Sequence, residues 1–214
     1  MTDPGALRRD YLRAQLREDE VAASWPEQFR GWFDTATDPA SAIVEPNAIQ
    51  LATVGAGGRP SVRTVLVKAW DERGIVFYTN YESAKADDLA ASPYAAAVFA
   101  WLVLERQVRL SGPVEKVSRA ETEAYFASRP RGSQLGAWAS PQSTVVASRA
   151  ELEAREQAVH ARFGTDPVPA PPNWGGYRLR PDVVEFWQGR ADRLHDRIRY
   201  RADGSAWVIE RLAP

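Results

Sequence analysis

The 214-residue chain contains no cysteine, two histidines and one methionine. Without cysteine there is neither a disulfide framework nor thiolate chemistry, and with His160 and His195 far apart in sequence a zinc site is short of ligands. Lysine is scarce too: Lys68, Lys85 and Lys116 stand against 24 arginines. That bias makes any one arginine weaker evidence than a lysine. The net charge of −1 argues against a sequence-blind nucleic-acid binder, because such proteins depend on a strongly positive surface. Long hydrophobic runs are missing as well. The longest, YAAAVFAWLVL at residues 94–104, falls short of the ~20 residues a spanning helix requires. The opening MTDPGALRRD lacks the apolar segment of a signal peptide. The expectation is a cytoplasmic protein with no metal, membrane or nucleic-acid partner. Its chemistry must rest on oxygen and nitrogen groups or on a cofactor.

What is present reads as many short strands among a few helices. Ser24 stands three before Glu27, Ser118 before Glu121 and Ser148 before Glu151, three capping boxes that predict helix starts. A polar helix is expected within residues 5–20. The segments AIQLATV, SVRTVLVKAW, IVFYTN, AAVFAWLV and RQVRLSGPVEKV are rich in β-branched and aromatic residues, are bounded by turn residues and read as a five-strand meander. YRLRPDVVEFWQG and DRIRYRADGSAWVIERL add C-terminal strands, the last a hairpin about ADG. So many close-spaced strands predict a mainly β, α+β protein built on an antiparallel barrel. DPVPAPPNWGG at residues 166–176 reads as an extended linker, and the tail after it is too short for a core of its own, so it should rejoin the main sheet. The expected division is a helical segment over residues 1–20 and a single domain over 21–214.

Three charged clusters carry the chemistry. On a regular strand Arg63 shares a face with Val65 and Val67, while Lys68 shares the other with Thr64 and Leu66. Either this is an edge strand with solvated charges, or a ligand meets both faces at the strand end or between subunits. Lys85 opens a short helix after FYTN, where free amides favour an anion, although on these residues alone a solvated lysine is the favoured reading. Tyr125 and Arg129 fall four apart on a helix that Pro130 ends, with Ser133 placed to cap the next. That set suits a phosphate monoester, or is a capped helix with surface arginines. In FWQGRADRLHDR, His195 stands among Arg190, Arg193 and Arg197, which either receive an anion or pair with Asp192 and Asp196. If the stretch is extended, Arg193, His195 and Arg197 share one face. Together the clusters favour phosphate-bearing ligands.

RTVLVK, FYTN, LERQVRLSGPVEKV, YFASRPRGSQLGAWASPQS, PPNWGGYRL, EFWQG, RLHDR and the terminal ERLAP, in this order, resemble the pyridoxine/pyridoxamine 5′-phosphate oxidase family over about residues 5–214. The resemblance implies a homodimeric, FMN-binding split barrel that oxidises pyridoxine or pyridoxamine 5′-phosphate to pyridoxal 5′-phosphate, with dioxygen as acceptor and hydrogen peroxide as product. It implies flavin contacts from Arg63, Thr64, Val65, Leu66, Val67, Lys68, Tyr78, Thr79, Lys85, Gln107, Gln142, Ser143, Trp187 and Arg197. Substrate phosphate would fall to Lys68, Tyr125, Arg129 and Ser133, with Arg193 and His195 at the pyridine ring and Arg8 and Tyr11 on a segment that closes over it. Where the family commonly has an Arg-Lys pair this chain has Ala84 and Lys85, so one cation expected at the flavin phosphate is missing. A related split-barrel enzyme that uses flavin or deazaflavin on another substrate is the alternative, and it should lack the SRPRGS and RLHDR blocks. A single-stranded nucleic-acid barrel with a stacking groove is the second alternative.

Overall fold

Two of the three expected helix starts form through their serines. In the computed structural model, which describes Asp3 and residues 10–214, Ser118 Oγ accepts from the Glu121 amide at 3.1 Å and opens α3 (Arg119–Ala127). Ser148 Oγ accepts from the Glu151 amide at 3.2 Å and opens α5 (Arg149–Phe163). Each bond satisfies an amide that the first helical turn leaves without a partner. At α1 (Trp25–Thr37) the box does not close. Ser24 Oγ donates to the Glu27 carboxylate instead, while Pro26 in the first turn presets the helical φ. Two further helices, α2 (Ala84–Ala91) and α4 (Arg131–Ala139), complete the set of longer helices among the described residues.

The strands follow the expected segments: β1 (Ala48–Val54), β2 (Pro60–Asp71), β3 (Gly74–Asn80), β4 (Tyr94–Trp101), β5 (Arg106–Lys116), β6 (Trp174–Leu179), β7 (Val183–Gln188), β8 (Asp196–Asp203) and β9 (Ala206–Arg211). The final hairpin turns through Gly204 and Ser205, with Gly204 at φ +63, a value glycine adopts without steric cost. Contacts sort the described residues into two compact units. One comprises the described residues within Met1–Leu51, with Ala96–Gly112 and Pro181–Pro214; the other comprises Ala52–Ala95 and Pro113–Arg180. Both are discontinuous in sequence, because β1, β4 and β5 each contribute to both.

In the first unit β5, β7, β8 and β9 pair antiparallel in that order, so the C-terminal tail does rejoin a sheet. Its core is aromatic. Trp25, Phe29, Trp32 and Ala36 fall on one buried stripe of α1, and within this unit Phe29 lies 5.0 Å from Phe99 and Trp32 5.2 Å from Phe186, ring centre to ring centre. Each such ring contributes ~1.5–3 kcal/mol by leaving water. Residues 10–20 hold no helix, only a turn at Glu18–Glu20, so the expected N-terminal helix does not form there. Their backbone bonds to the body of this unit instead: the Arg13 amide donates to Glu105, the Leu16 amide to Asp196, and the Leu16 carbonyl accepts from Arg211. The expectation for Arg8 lies outside the described residues.

In the second unit β2, β3, β6 and the end of β5 pair antiparallel. The expected linker is not a solvated tether. Val168 and Ala170 are buried with Phe126, Leu135 and Trp174, and the Arg119 guanidinium ties down the carbonyls of Ala170 and Pro171. Prolines hold this segment extended, while its apolar residues bury against α3 and α4. Arg178 on β6, 4% exposed, pairs with Asp71 at 2.7 Å and Glu121 at 3.2 Å, and so joins the β2–β3 turn to α3.

The β2–β3 turn has no room for a side chain. Gly74 sits at φ +134, and a Cβ there would lie 2.0 Å from the Leu179 carbonyl oxygen. Gly74→Ala is expected to destabilise by at least ~1–3 kcal/mol, the scale of forced backbone strain, and to lower Tm by ~2–4 °C per kcal/mol. Gly58→Asn, at φ +71 with open space around it, is the tolerated comparison. Thermal unfolding of the two variants checks this.

Candidate functional site

Lys85 is the most deeply buried lysine among the described residues. It is 8% exposed at the start of α2, and its Nζ donates to Thr79 Oγ1 at 2.9 Å, Ser83 Oγ at 3.1 Å and Gln142 Oε1 at 2.8 Å. These acceptors are neutral. Burial lowers its pKa to about 8, helped by the Arg63 charge, as expected for an ammonium taken from water without an anion beside it. Thr79 also donates to Gln142 Oε1 at 2.8 Å, so β3 and the loop after α4 converge on this point. Ser143, next along that loop, has φ +71, a left-handed conformation that non-glycine residues hold at a cost and that clusters at functional sites.

Arg129 is a second, partly buried cation. The structure places it two residues beyond the end of α3 rather than on the helix with Tyr125. Its guanidinium lies over Trp174 at 4.6 Å and Phe126 at 5.4 Å, and its buried Nη1 has no hydrogen-bond partner among the described residues. Burial lowers its pKa. A buried donor left unmade costs ~1–3 kcal/mol, more when charged, so such a group marks a place where an acceptor belongs. Tyr125 stacks on Tyr78 at 4.0 Å, and Tyr78 on Trp174 at 5.4 Å. Burial pushes the Tyr78 hydroxyl up to about 12, so it stays a donor. Ser133 does not cap α4. Pro130 is the N-cap and Ser133 lies within the first turn, its amide bonded to the Pro130 carbonyl.

These groups line one cavity of about 670 Å³, within the range that holds cofactor-sized molecules. Arg63, Thr64, Val65, Leu66, Lys68, Tyr78, Thr79, Lys85, Tyr125, Arg129, Ser133, Gln142 and Ser143 all reach it, so four cations border it and none of its lining residues is a carboxylate. Val67 is the exception on its strand, 5% exposed and turned into the core. Residues from both faces of this strand line the cavity, Arg63 and Val65 from one and Thr64 and Leu66 from the other, and a bulge falls at Lys68. Val67 pairs with Phe77 but Ala69 with Val76, which leaves Lys68 as an extra residue and breaks the alternation there. Arg63 is held in place by Thr53, Ser61 and Asp88, the last an ion pair at 3.4 Å, and hydrogen bonds from Thr53, Ser61 and Arg63 keep the Asp88 carboxyl below its usual range. Sequence reasoning missed Asn80, Ser140 and Trp174 as lining residues, and set Trp174 in a linker.

The remaining candidates belong to the first unit. Gln107 on β5 lies opposite Trp187 on β7, and Trp187 lies opposite Arg197 on β8. Arg197 donates to both oxygens of the buried Glu185 at 2.8 and 3.1 Å, which raises its pKa, so its partner is Glu185 and not an adjacent aspartate. Asp196 takes Arg190 and Arg211. The stretch before β8 is not extended. Asp192 and Arg193 have φ +56 and +62, a left-handed pair that breaks the alternation expected of Arg193, His195 and Arg197. Tyr11 packs against Trp187 and His195, with ring centres 5.8 and 5.7 Å apart.

With only three lysines, NMR of the side-chain amines reads Lys85 individually once Lys85→Met identifies its signal. One ammonium should titrate near pH 8 in the ligand-free protein, and an added phosphate monoester should move that midpoint upward, because an anion favours the charged form. The same linkage makes phosphate affinity fall as pH rises through about 8.

Comparison with known proteins accounts for nearly the whole chain. Residues 36–163 match the family model described as pyridoxamine 5′-phosphate oxidase, and residues 174–214 match the pyridoxine 5′-phosphate oxidase C-terminal dimerisation region. The pyridoxine/pyridoxamine 5′-phosphate oxidase of Burkholderia multivorans is 58% identical over 100% of both chains, and that of Acaryochloris marina 54% identical over 97% of this chain and 94% of its own. Among solved structures, PhzG from Burkholderia lata, in complex with tetrahydrophenazine-1-carboxylic acid, superimposes with TM-score 0.85 at 31% identity, covering 92% of this chain and 95% of its own. An FMN-binding protein of Nostoc punctiforme, related to pyridoxamine 5′-phosphate oxidase, is 23% identical with TM-score 0.70 over 87% of this chain and 97% of its own, and shows the fold alone. The fold class is therefore the one expected, an antiparallel β-barrel with flanking helices. No helix among the described residues is long and apolar enough to cross a membrane. A cavity bordered by cations without carboxylates, in a chain matched from end to end, has one consistent reading: the chain is an oxidase of the pyridoxine/pyridoxamine 5′-phosphate oxidase family.

Proposed function

We propose that this oxidase carries FMN and converts pyridoxine 5′-phosphate or pyridoxamine 5′-phosphate to pyridoxal 5′-phosphate. The observation that supports it most is the pair of unneutralised cations in one cavity, Lys85 among neutral oxygens and Arg129 with a buried donor unmade. The reading needs two phosphates, one on the cofactor and one on the substrate, and the cavity offers two such groups. The names of the relatives supply the substrate class. PhzG, whose structure holds a phenazine carboxylic acid, keeps a substrate without phosphate in view.

The donor set fits a flavin phosphate at Lys85, with Arg63, Thr79, Gln142 and Ser143 as the other polar groups and the Arg63–Lys68 strand beside it. FMN, when bound, would supply the redox chemistry, a two-electron oxidation at C4′ with dioxygen as the final acceptor and hydrogen peroxide as product, with ammonia released by hydrolysis when the substrate is the amine. The protein supplies position and charge. Lys68, Tyr125, Arg129 and Ser133 hold the substrate phosphate, so binding energy remote from C4′ fixes the reacting carbon. Arg193 and His195 border the substrate ring, Gln107, Trp187 and Arg197 serve the flavin, and Tyr11 with Arg8 closes over the substrate. The active species is a homodimer, supported by the match of residues 174–214 to a dimerisation region.

An aerobic assay of the FMN-loaded protein tests this. Pyridoxal 5′-phosphate and peroxide should appear in equal amounts from both phosphorylated substrates and not from the free alcohol or amine. Arg129→Ala should raise KM ~10–100-fold, the scale of one lost charged hydrogen bond, with flavin content retained. No product, or equal turnover with and without the substrate phosphate, would overturn the assignment.

A further inference from the structure

The imidazole of His195 is fixed on three sides within its own unit. The backbone N–H of Arg190 donates to its Nδ1 at 3.1 Å, the Trp187 ring lies 4.7 Å away and the Tyr11 ring 5.7 Å away, centre to centre. The left-handed pair Asp192 and Arg193 turns the chain so that the side chain reaches back to an amide five residues earlier. Tyr11 can lie there because residue 189 is glycine; a Cβ at that position would come within 2.7 Å of the tyrosine ring. The neighbouring charged groups are engaged elsewhere, Asp196 with Arg211 and the Leu16 amide, and Arg197 with Glu185.

A ring nitrogen that accepts an amide N–H presents its lone pair, so the neutral imidazole carries its proton on Nε2. We propose that His195 serves as a fixed hydrogen-bond donor through Nε2–H, with the Arg190 backbone amide as the group that sets the tautomer, and that it is not the base that removes a substrate proton. To accept a proton at Nε2 the ring would first have to move its own to Nδ1, where two N–H groups would face each other. The proton released from the substrate alcohol therefore passes to water. The proposed function enters only in the identity of the group that Nε2–H meets, a lone pair on the bound substrate.

The chain's other histidine lies on α5, so His160→Gln leaves His195 as the only imidazole in the NMR spectrum of nitrogen-labelled, FMN-loaded protein. A single species with Nε2 protonated and Nδ1 bare is expected. An Nδ1-protonated ring, or an averaged mixture of tautomers, would overturn the proposal. Activity gives a second reading. Glutamine at 195 restores an N–H donor near the Nε2 position, whereas glutamate puts an acceptor there. His195→Gln should keep kcat within about tenfold of wild type and His195→Glu should fall ~10²-fold or more, the lower end of the scale for a placed proton-transfer or hydrogen-bonding group. Glutamate as active as glutamine, or more so, would identify a base and overturn the proposal. Should wild-type protein turn over neither phosphorylated substrate, the proposed function fails, and the NMR spectrum still decides the tautomer.

Discussion

Positive charge without a matching carboxylate in the cavity wall is the constraint on which the second unit depends. Four cations border the cavity, and of these Arg63 is neutralised by Asp88 while Lys85 bonds neutral oxygens and Arg129 keeps a buried donor unmade. Buried charge of this kind is unfavourable by itself. The unit holds it by rigid means: a bulge falls at Lys68, Thr79 and Gln142 converge on Lys85, and a wall of Tyr78, Tyr125 and Trp174 seats Arg129. An anion that satisfies these groups offsets that cost, which is how a site becomes selective for phosphate without being strongly basic overall.

The aromatic wall and the cations depend on each other. A guanidinium over an indole keeps favourable electrostatics while a nitrogen loses water, and this leaves the buried Nη1 of Arg129 available to an acceptor. Burial acts alike on the neighbours. It lowers the Lys85 and Arg129 pKa values and raises those of Tyr78 and Tyr125, so each hydroxyl remains a donor while the cations gain most from a ligand. In the first unit the same economy of groups shows at His195, whose proton is placed by a backbone amide rather than by a carboxylate.

Local signals were legible in the sequence and non-local ones were not. Ser118 and Ser148 cap their helices because the bond joins residues three apart, and the strand segments show because alternation is a local pattern. Most of the cavity residues were legible too, through blocks of sequence that resemble a family. The bulge at Lys68 was not, since it exists only in register against β3. Nor was the left-handed pair at Asp192 and Arg193, where no glycine announces the turn. The proline-rich stretch before Trp174 reads as a tether because proline favours extension, yet burial is decided by the apolar surface of α3 and α4 that receives Val168 and Ala170. Arg129 was assigned to a helix that ends two residues earlier, and its distance from the helix is what lets it lie across Trp174.

The account stands on phosphate, and the comparison of FMN with riboflavin isolates that group. Both carry the same ring, so fluorescence titration of the flavin-free protein measures what the phosphate adds. FMN should bind at least ~10²-fold more tightly than riboflavin, the scale of one or two charge-assisted hydrogen bonds, and Lys85→Met should remove most of the difference while leaving riboflavin binding unchanged. Equal affinity for the two flavins in the wild-type protein would contradict the account.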